Sequence, residues 1–516
     1  MNYYLSHLKH DIPASIVVFL VALPLCLGIA LASGAPLFSG LIAGFVGGIF
    51  ISWASGSQLS VSGPAAGLTV IVLNAIEQLG SFSGFLTSLV LAGILQFALG
   101  YFKAGIIGAF FPASVIRGML AAIGLILIIK QFPHAVGYEI SFEGDESYMQ
   151  ETATSSFQEL ISSFGSVSPG ATVVTGVAIL ILILWETSLF KRFSLLRLIP
   201  GPLIVVSWGI LYNAVAQKFA PAWAITGKHL VSLPVPENTH EFFNNFSFPD
   251  FSFLNNPQVY IAAVTIAIIA SLETLLSLEA VDKLDPLKRI APTNRELKAQ
   301  GVGNLISGLI GGLPITAVIV RSSANINAGG QTKVSSFLHG ILLLLSVMFF
   351  AQFLNKIPLA CLAAILLQTG YKLAKPKLFM EFYRKGWNQF IPFAATIIAI
   401  LISDLLQGIL IGIGVGLYFV IRANYHAAIT MTRKKNHYLL SLNKDVSFLN
   451  KALLRKFLSQ INANSTVLID TSNTQFIDHD ILETIEDFLQ GAHEDNITVE
   501  IRGDLHGKQE IQSQAA

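Results

Sequence analysis

Long apolar runs separated by short polar segments make up residues 1–430 of the chain. A run of about 20 apolar residues is long enough to cross a bilayer as a helix. The pattern predicts about fourteen helices, some too short to cross alone. They are placed at 12–32, 36–54, 65–78, 84–102, 109–131, 170–185, 200–217, 257–278, 296–311, 316–327, 333–353, 356–371, 388–403 and 405–425. This pattern predicts an all-α polytopic membrane protein.

Two of the short predicted helices begin with similar motifs. The third helix follows Ser62–Pro64 and the tenth follows Gly311–Pro314, so each starts with Gly and Pro and then small residues. They occupy equivalent places if the domain has two halves of seven helices, and such pairs mark the binding site of transporters with inverted repeats. A helix that begins inside the membrane presents free N–H groups and the positive end of its dipole. The pair therefore predicts a 7+7 inverted repeat that binds an anion.

Glu273 lies deep in the eighth predicted helix, where a charge costs on the order of 2.5–3.5 kcal/mol on insertion scales. We interpret it as a coupling carboxylate that binds Na⁺ or carries H⁺, with Ser277 one turn later as a second cation ligand. The alternative is a structural carboxylate that hydrogen-bonds to a neighbouring helix. Glu279 and Asp282 lie nearer the helix end and are expected to be interfacial partners of Lys283.

Arg321 follows Thr316 by five residues in the tenth predicted helix. Three interpretations stay open: a positive field at the anion site, an ion pair with Glu273, or a side chain that extends to the cytoplasmic interface. Pro24 interrupts the first helix, and we interpret it as a tolerated bend rather than a functional kink.

Composition excludes several classes of function. Hydrophobic residues account for 53% of the 516 residues and charged residues for 12%, whereas a soluble domain carries about 25% charged residues. Cys26 and Cys361 lie in apolar runs, which predicts neither a disulfide nor a metal site. The sequence has no phosphate-binding loop and no evident nucleophile paired with a base. We therefore expect no enzyme activity and no cofactor, and transport driven by an ion gradient.

Loop charges predict the orientation in the membrane. With the amino terminus inside, the long loop near 133–168 is outside, and it contains six acidic residues but no Lys or Arg. The predicted cytoplasmic loops contain Lys103, Lys191, Arg192, Arg197, Lys283, Lys288, Arg289, Arg295, Lys298, Lys372, Lys375, Lys377, Arg384 and Lys385. This asymmetry follows the positive-inside rule, so we expect both termini in the cytoplasm and the chain in the inner (plasma) membrane.

The pattern changes after residue 435. Predicted strands at 437–442, 466–470 and 497–501 alternate with predicted helices at 447–461 and 480–489. Alternating strands and helices predict a small α/β domain over residues 436–516. A domain of about 80 residues is marginal for independent stability.

Several motifs, taken in their order and spacing, are typical of one family. They are Asp11–Ala14, Val21–Pro24, Ser62–Pro64, Phe111–Gly118, Glu273–Ser277, Gly311–Thr316, Arg321–Ser322 and Gly329–Thr332. Over nearly its whole length the chain resembles the SulP family of anion transporters, called solute carrier family 26 in animals. The resemblance implies a core and a gate subdomain within residues 1–430, an elevator-type motion and a homodimer in the lipid bilayer.

The resemblance also implies the site residues. The anion site maps onto the backbone of Ala65, Ala66, Gly67, Ala317, Val318, Ile319 and Val320, and we add Arg321 to it. The cation site, for Na⁺ in sodium-driven relatives, maps onto Glu273 and Ser277, with Thr69 as a third contributor.

The tail resembles a STAS domain, because Val467–Ser472 and Phe476–Asp478 match its strand-and-loop pattern. His479 stands where the related antagonists of anti-sigma factors have a phosphoacceptor serine, so the resemblance does not carry a phosphorylation switch to this chain. A role in dimer contacts or regulation is expected instead.

The leading hypothesis is secondary active transport of a small inorganic anion, bicarbonate or sulfate, coupled to Na⁺ or H⁺. A site made mostly of backbone suits bicarbonate, although sulfate or a dicarboxylate stays open, and Glu rather than Asp at position 273 favours H⁺. One alternative is a channel-like anion conductor, against which Glu273 argues. The other is a nucleobase carrier of the same fold, against which Arg321 and the tail argue. No nucleic-acid partner is expected.

Overall fold

The computed structural model describes residues 2–106, 112–138, 167–187, 199–235, 242, 244–403, 405–474 and 476–503. Each of the fourteen predicted hydrophobic segments forms a helix, and six helices in these ranges are long and apolar enough to cross a membrane. Residues 139–166, which contain the acidic part of the predicted outside loop, lie outside the described residues, as do Phe111, Lys191, Arg192 and Arg197.

The first unit of the chain runs from Met1 to Ile413. Its elements are α1 Asn2–Ala32, α2 Leu37–Val46, β1 Ser62–Pro64, α3 Thr69–Leu79, α4 Phe82–Tyr101, α5 Ala113–Val136, α6 Pro169–Glu186, α7 Gly201–Phe219, α8 Pro257–Leu284, α9 Thr293–Leu309, β2 Ile315–Ala317, α10 Ile319–Asn327, α11 Val334–Leu354, α12 Leu359–Leu373, α13 Pro376–Arg384, α14 Trp387–Ile402 and α15 Leu405–Ala428, the last of which continues into the second unit. A π-helical turn over Gly47–Ile51 and a short helix at Ser52–Ala54 extend α2.

Most helix bounds agree with the predicted ranges within a few residues. Two helices are longer than predicted: α1 begins at Asn2 rather than 12, and α8 ends at Leu284 rather than 278. The apolar run marks only the part of a helix that matches the bilayer interior, whereas backbone hydrogen bonding continues into polar flanking residues. Pro24 lies within α1 and does not end it.

Helix α13 is an element that the hydrophobic pattern did not predict. It has nine residues, Pro376–Arg384, and connects the membrane helices α12 and α14. Its apolar residues lie on one side only, so no continuous apolar run marks it. A short amphipathic helix of this kind is typical of a membrane surface rather than a membrane crossing.

The second unit, from Gly414 to Ala516, contains a four-stranded sheet. Its elements are β3 Ile429–Lys434, β4 His437–Leu442, α16 Lys451–Leu458, β5 Thr466–Asp470, α17 His479–Ala492 and β6 Thr498–Arg502. The strand order is β3-β4-β5-β6, with β3 antiparallel to β4 and the other pairs parallel. The predicted strands and helices are confirmed, and β3 is an addition. Its Thr, Arg and Lys residues had not marked it as a strand.

Candidate functional site

Two three-residue strands lie at the centre of the membrane domain, where only helix starts were predicted. Strand β1 pairs antiparallel with β2, and Gly63 lies opposite Thr316. The predicted starts of the third and tenth helices, at 65 and 316, are therefore wrong. A 3₁₀ turn over Ala66–Leu68 leads into α3, and α10 begins at Ile319. The residue before a proline favours extended backbone, and this holds for Gly63 and Leu313.

The antiparallel pairing makes the two helices run away from each other. Their amino ends consequently face one another across the strand pair. The first N–H groups of a helix have no partner within that helix, and the dipole makes each end positive. Ala65, Gly67 and Ala317 are buried, Ala66, Val318 and Ile319 are half-buried, and Val320 is exposed. All seven predicted backbone positions thus lie at these two helix starts.

Glu273 of α8 contacts the first of these helix starts. The Glu273 carboxylate lies against the Gly67 backbone, with Oε1 and Oε2 as the nearest side-chain atoms. A Cβ atom on Gly67 would lie 2.7 Å from Glu273 Oε1, so glycine is required for this close approach. Glu273 Oε2 is buried and has no hydrogen-bond partner. The acid predicted for coupling therefore lies against the backbone predicted for the anion.

The other two predicted cation ligands are Ser277 of α8 and Thr69, the first residue of α3. Ser277 follows Glu273 by one turn of α8 and is buried. Thr69 is also buried, and its hydroxyl donates to Ala66 O at 2.8 Å, so only its oxygen lone pairs remain for a cation. In the part of the chain that the structure describes, no group of three or more His, Cys, Asp or Glu residues has a metal-binding arrangement.

Arg321 of α10 is the largest fully buried side chain of the described residues. The interpretation that it extends to the interface is wrong, because its side chain has no exposed surface. It forms no ion pair with Glu273 within the described residues either. Its Nη2 lies 3.5 Å from Pro64 O, and Nε and Nη1 have no partner. A Cβ atom on Gly63 would collide with Nη1. Arg321 thus places a buried positive charge against β1.

Helix α8 is tied to the second helix start through the neighbour of Glu273. The Ala317 N–H donates to Thr274 Oγ1 at 3.3 Å. Thr274 is fully buried and was not among the predicted site residues. Its position next to Glu273 was the only signal in the sequence. Consecutive residues of α8 therefore contact the two helix starts separately.

A row of buried polar side chains on α9 holds the strand pair from behind, and sequence reasoning missed it. Glu296, Gln300 and Asn304 follow one another at intervals of four residues, which places them on one face of α9. The Gln300 amide donates to Ser62 Oγ at 2.8 Å and to Glu296 Oε1 at 3.0 Å. Ser55 Oγ donates to Glu296 Oε2 at 2.5 Å. Strand β1 is thereby fixed to α9.

Asn304 fixes strand β2 to α9. It accepts a hydrogen bond from Ile315 N at 2.6 Å and donates to Ile315 O at 3.1 Å. Its amide also donates to Gln96 Oε1, and Gln96 donates to Ser271 Oγ of α8 at 3.2 Å. Each net hydrogen bond contributes about 1 kcal/mol, and a buried polar group that loses its partner costs more. The four-residue spacing of Glu296, Gln300 and Asn304 was the signal in the sequence for this row.

The remaining predicted residues are Glu279 and Asp282 near the end of α8 and the two cysteines in the core. Glu279 pairs with Lys283 at 2.5 Å on an exposed surface, as expected. Asp282 instead accepts from Ala291 N at 3.0 Å. Cys26 and Cys361 are free and buried.

A family model covers most of this architecture. The model of the sulfate permease family matches residues 8–398. The chain belongs to the sulfate permease family. This family consists of membrane transporters for small inorganic anions, so the chain is an integral membrane transporter and not an enzyme.

Relatives within the sulfate permease family include transporters named for two anions. The Bacillus subtilis protein YvdB, which has a provisional sulfate-transporter name, is 29% identical over 450 residues, covering 86% of this chain and 79% of YvdB. The bicarbonate transporter BicA of Picosynechococcus is 24% identical over 424 residues, covering 80% of this chain and 70% of BicA.

Solved structures of the family share the fold. Murine Slc26a9, an anion transporter, matches with a TM-score of 0.79 at 16% identity, covering 98% of this chain and 87% of that chain. The transmembrane domain of a cyanobacterial BicA matches with a TM-score of 0.64 at 23% identity, covering 78% of this chain and 97% of that domain. The predicted fold class, a helical membrane domain with a small α/β tail, is thereby confirmed.

Proposed function

We propose that the protein is a secondary active carrier that moves bicarbonate or sulfate across the membrane together with Na⁺ or H⁺. The observation that carries this proposal is the close approach of the Glu273 carboxylate to the Gly67 backbone. It connects a titratable acid to the backbone that would hold the anion. The chain is further proposed to work as a homodimer in the inner membrane with both termini in the cytoplasm.

Charge explains why the anion and the coupling ion, Na⁺ or H⁺, would bind together. An ionised Glu273 repels an anion at the helix starts. A cation bound by Glu273, Ser277 and Thr69, or a proton on Glu273, removes that repulsion. Each substrate then raises the affinity for the other, because coupling between two sites is reciprocal. Coupling free energies of this kind correspond to about 5- to 150-fold in affinity.

The movement in this proposal is of the elevator type. Hydrogen bonds join the two helix starts to α8 and α9: Thr274 accepts from Ala317 N–H, and Gln300 and Asn304 donate to the strand pair. A group of elements joined in this way can move as one body and carry both substrates from one side of the membrane to the other.

The test is uptake of labelled bicarbonate and labelled sulfate into proteoliposomes with an imposed Na⁺ gradient or pH gradient. Wild type is compared with Glu273→Gln, and with Glu279→Gln as a control on the same helix. We expect saturable uptake of at least one anion under one gradient. Gradient-driven uptake should be lost in Glu273→Gln and kept in Glu279→Gln.

Other results would change the proposal in defined ways. Uptake of neither anion, or full gradient-driven uptake in Glu273→Gln, would contradict it. A conductance that does not saturate with anion concentration and needs no gradient of Na⁺ or H⁺ would indicate a channel-like conductor instead.

A further inference from the structure

Helix α13 has one face that is held by the protein. The Phe382 ring stacks on Phe393 of α14 with 4.6 Å between ring centroids, and Phe379 packs edge-on against the same ring at 5.2 Å. Phe382 is buried. These contacts fix the rotation of α13 about its axis, and they determine which residues it presents outward.

One outward flank of α13 is apolar and aromatic. Met380 and Tyr383 follow at an interval of three residues, which places them on the same side of the helix. Their exposed fractions are 53% and 54%, and that of Trp387 is 61%. The Tyr383 and Trp387 rings contact each other at 5.8 Å. Exposed Tyr and Trp side chains beside a membrane helix are typical of the interface between lipid and water.

The other outward flank is basic. Lys377 and Arg384 are seven residues apart and lie on one side of α13, and both are exposed. Neither has an acidic partner in the described part of the chain. The neighbouring Lys385 differs, because its Nζ pairs with Glu381 at 2.6 Å.

Arg117 of α5 adds a third cation to this region. The hydrogen bond from Lys385, its positive charge and, more weakly, the charge of Arg117 hold the pKa of Glu381 below its usual range. Arg117 is therefore near α13, and it is exposed. The acid in this region is already paired with Lys385, which leaves three basic side chains for an external anion.

We propose that Arg117, Lys377, Arg384, Met380 and Tyr383, together called the α13 surface, bind an anionic phospholipid. The basic side chains would contact the phosphodiester headgroup, and the apolar flank would contact its glycerol and acyl chains. A soluble phosphate would satisfy only the basic side chains, whereas the combination of both flanks fits a lipid. Basic residues on an amphipathic helix at a membrane surface attract anionic lipids. This inference requires only the membrane location and is independent of the transported anion.

The test measures lipid retention by the full-length protein. Wild type, Lys377→Gln, Arg384→Gln and Lys385→Gln are reconstituted into vesicles of equal parts phosphatidylglycerol and phosphatidylcholine. They are then extracted in a mild detergent, and bound lipid is quantified by mass spectrometry. Arg384→Gln and Lys385→Gln are matched, because they remove the same charge from adjacent residues. Size-exclusion chromatography and thermal unfolding show whether each variant is folded.

We expect wild type to retain phosphatidylglycerol at least about 5-fold over phosphatidylcholine. Lys377→Gln and Arg384→Gln should each lower this ratio at least 2-fold, and Lys385→Gln should leave it unchanged. Equal retention of phosphatidylglycerol and phosphatidylcholine by wild type would overturn the proposal. So would an equal fall of the retention ratio in Arg384→Gln and Lys385→Gln. Displacement by the soluble headgroup glycerophosphoglycerol at lipid-equivalent concentrations would also overturn it, since the surface would then bind a phosphodiester without its acyl chains.

Discussion

The two helix starts occupy equivalent places in the two halves of the domain, yet they differ in charge. The first, at Ala65–Leu68, has no charged residue of its own, and its Gly67 lies against the Glu273 carboxylate of α8. The second, at Ala317–Ser322, includes Arg321, which is fully buried and has no acidic partner in the described residues. The charge at the first start depends on whether Glu273 is ionised, whereas Arg321 gives the second start a permanent positive charge.

In the proposed function, this difference separates two tasks between the two helix starts. A permanent charge attracts any anion at all times, whereas an acid that binds a cation or proton makes the attraction conditional. Coupled transport requires the conditional part, because an anion that binds equally well with and without the cation would not be driven by its gradient. The two halves therefore contribute different properties to a site that looks symmetric in its backbone.

Removing the permanent charge should have the largest effect. Two unit charges about 4 Å apart interact by about 4 kcal/mol at an effective dielectric constant of 20. We expect Arg321→Leu to raise the KM for anion uptake on the order of 100-fold, allowing for a longer separation. Arg321→Lys keeps a charge and should recover part of the loss. Thermal unfolding of both variants is the control for folding, and a change below about 3-fold in folded Arg321→Leu would contradict the role of this charge.

Substitutions at two glycines test the comparison directly, because a larger side chain at either position would push a charged side chain away from one helix start. An added Cβ would meet Glu273 at position 67 and Arg321 at position 63. We expect Gly67→Ala to reduce the dependence of anion uptake on the driving cation about 10-fold. Gly63→Ala should raise the KM for the anion by a similar factor while the cation dependence stays intact. Measuring uptake across a series of Na⁺ concentrations and pH values distinguishes them, and identical profiles would refute the separation of tasks.

The smallest expected effect is that of Thr274→Val, which keeps the shape of the side chain and removes the acceptor for Ala317 N–H. A hydrogen bond of this kind contributes about 1 kcal/mol, so we expect the KM for the anion to rise about 5-fold. The cation dependence should not change, because Glu273 faces the other helix start. Thr265→Val on the same helix, where the hydroxyl bonds only to Ile261 O, is the control. A loss of cation dependence in Thr274→Val would show that the two contacts of α8 are not separate.

The sequence was sufficient to predict the membrane helices and the two motif segments that the structure brings together at β1 and β2. The membrane helices were predictable because their hydrophobic runs are long. Helices α3 and α10 were placed because Gly and Pro precede small residues in both segments. The strand pair was missed, because three residues are too few for an alternating pattern to be recognised. Its existence depends on partners that lie far apart in the sequence, and local propensity does not report on them.

The polar residues show the same limit. Glu273 stands out because it is a lone acid in a long apolar run. Glu296, Gln300 and Asn304 lie in a helix that also contains exposed polar residues, so their burial was not evident. The position of Arg321 was equally open, since a flexible side chain can extend in several directions. Only the packing of β1 against α10 decided among the three interpretations.

The pairing of Gly63 with Thr316 also has a consequence for biosynthesis. The backbone groups of β1 enter the membrane about 250 residues before their partners in β2 are made, a delay of roughly 13–50 s at typical rates of synthesis. Unpaired backbone groups are costly in lipid. The first half must therefore stay in contact with water or with the insertion machinery until the second half arrives. The strand pair is thus one of the last parts of the membrane domain to form.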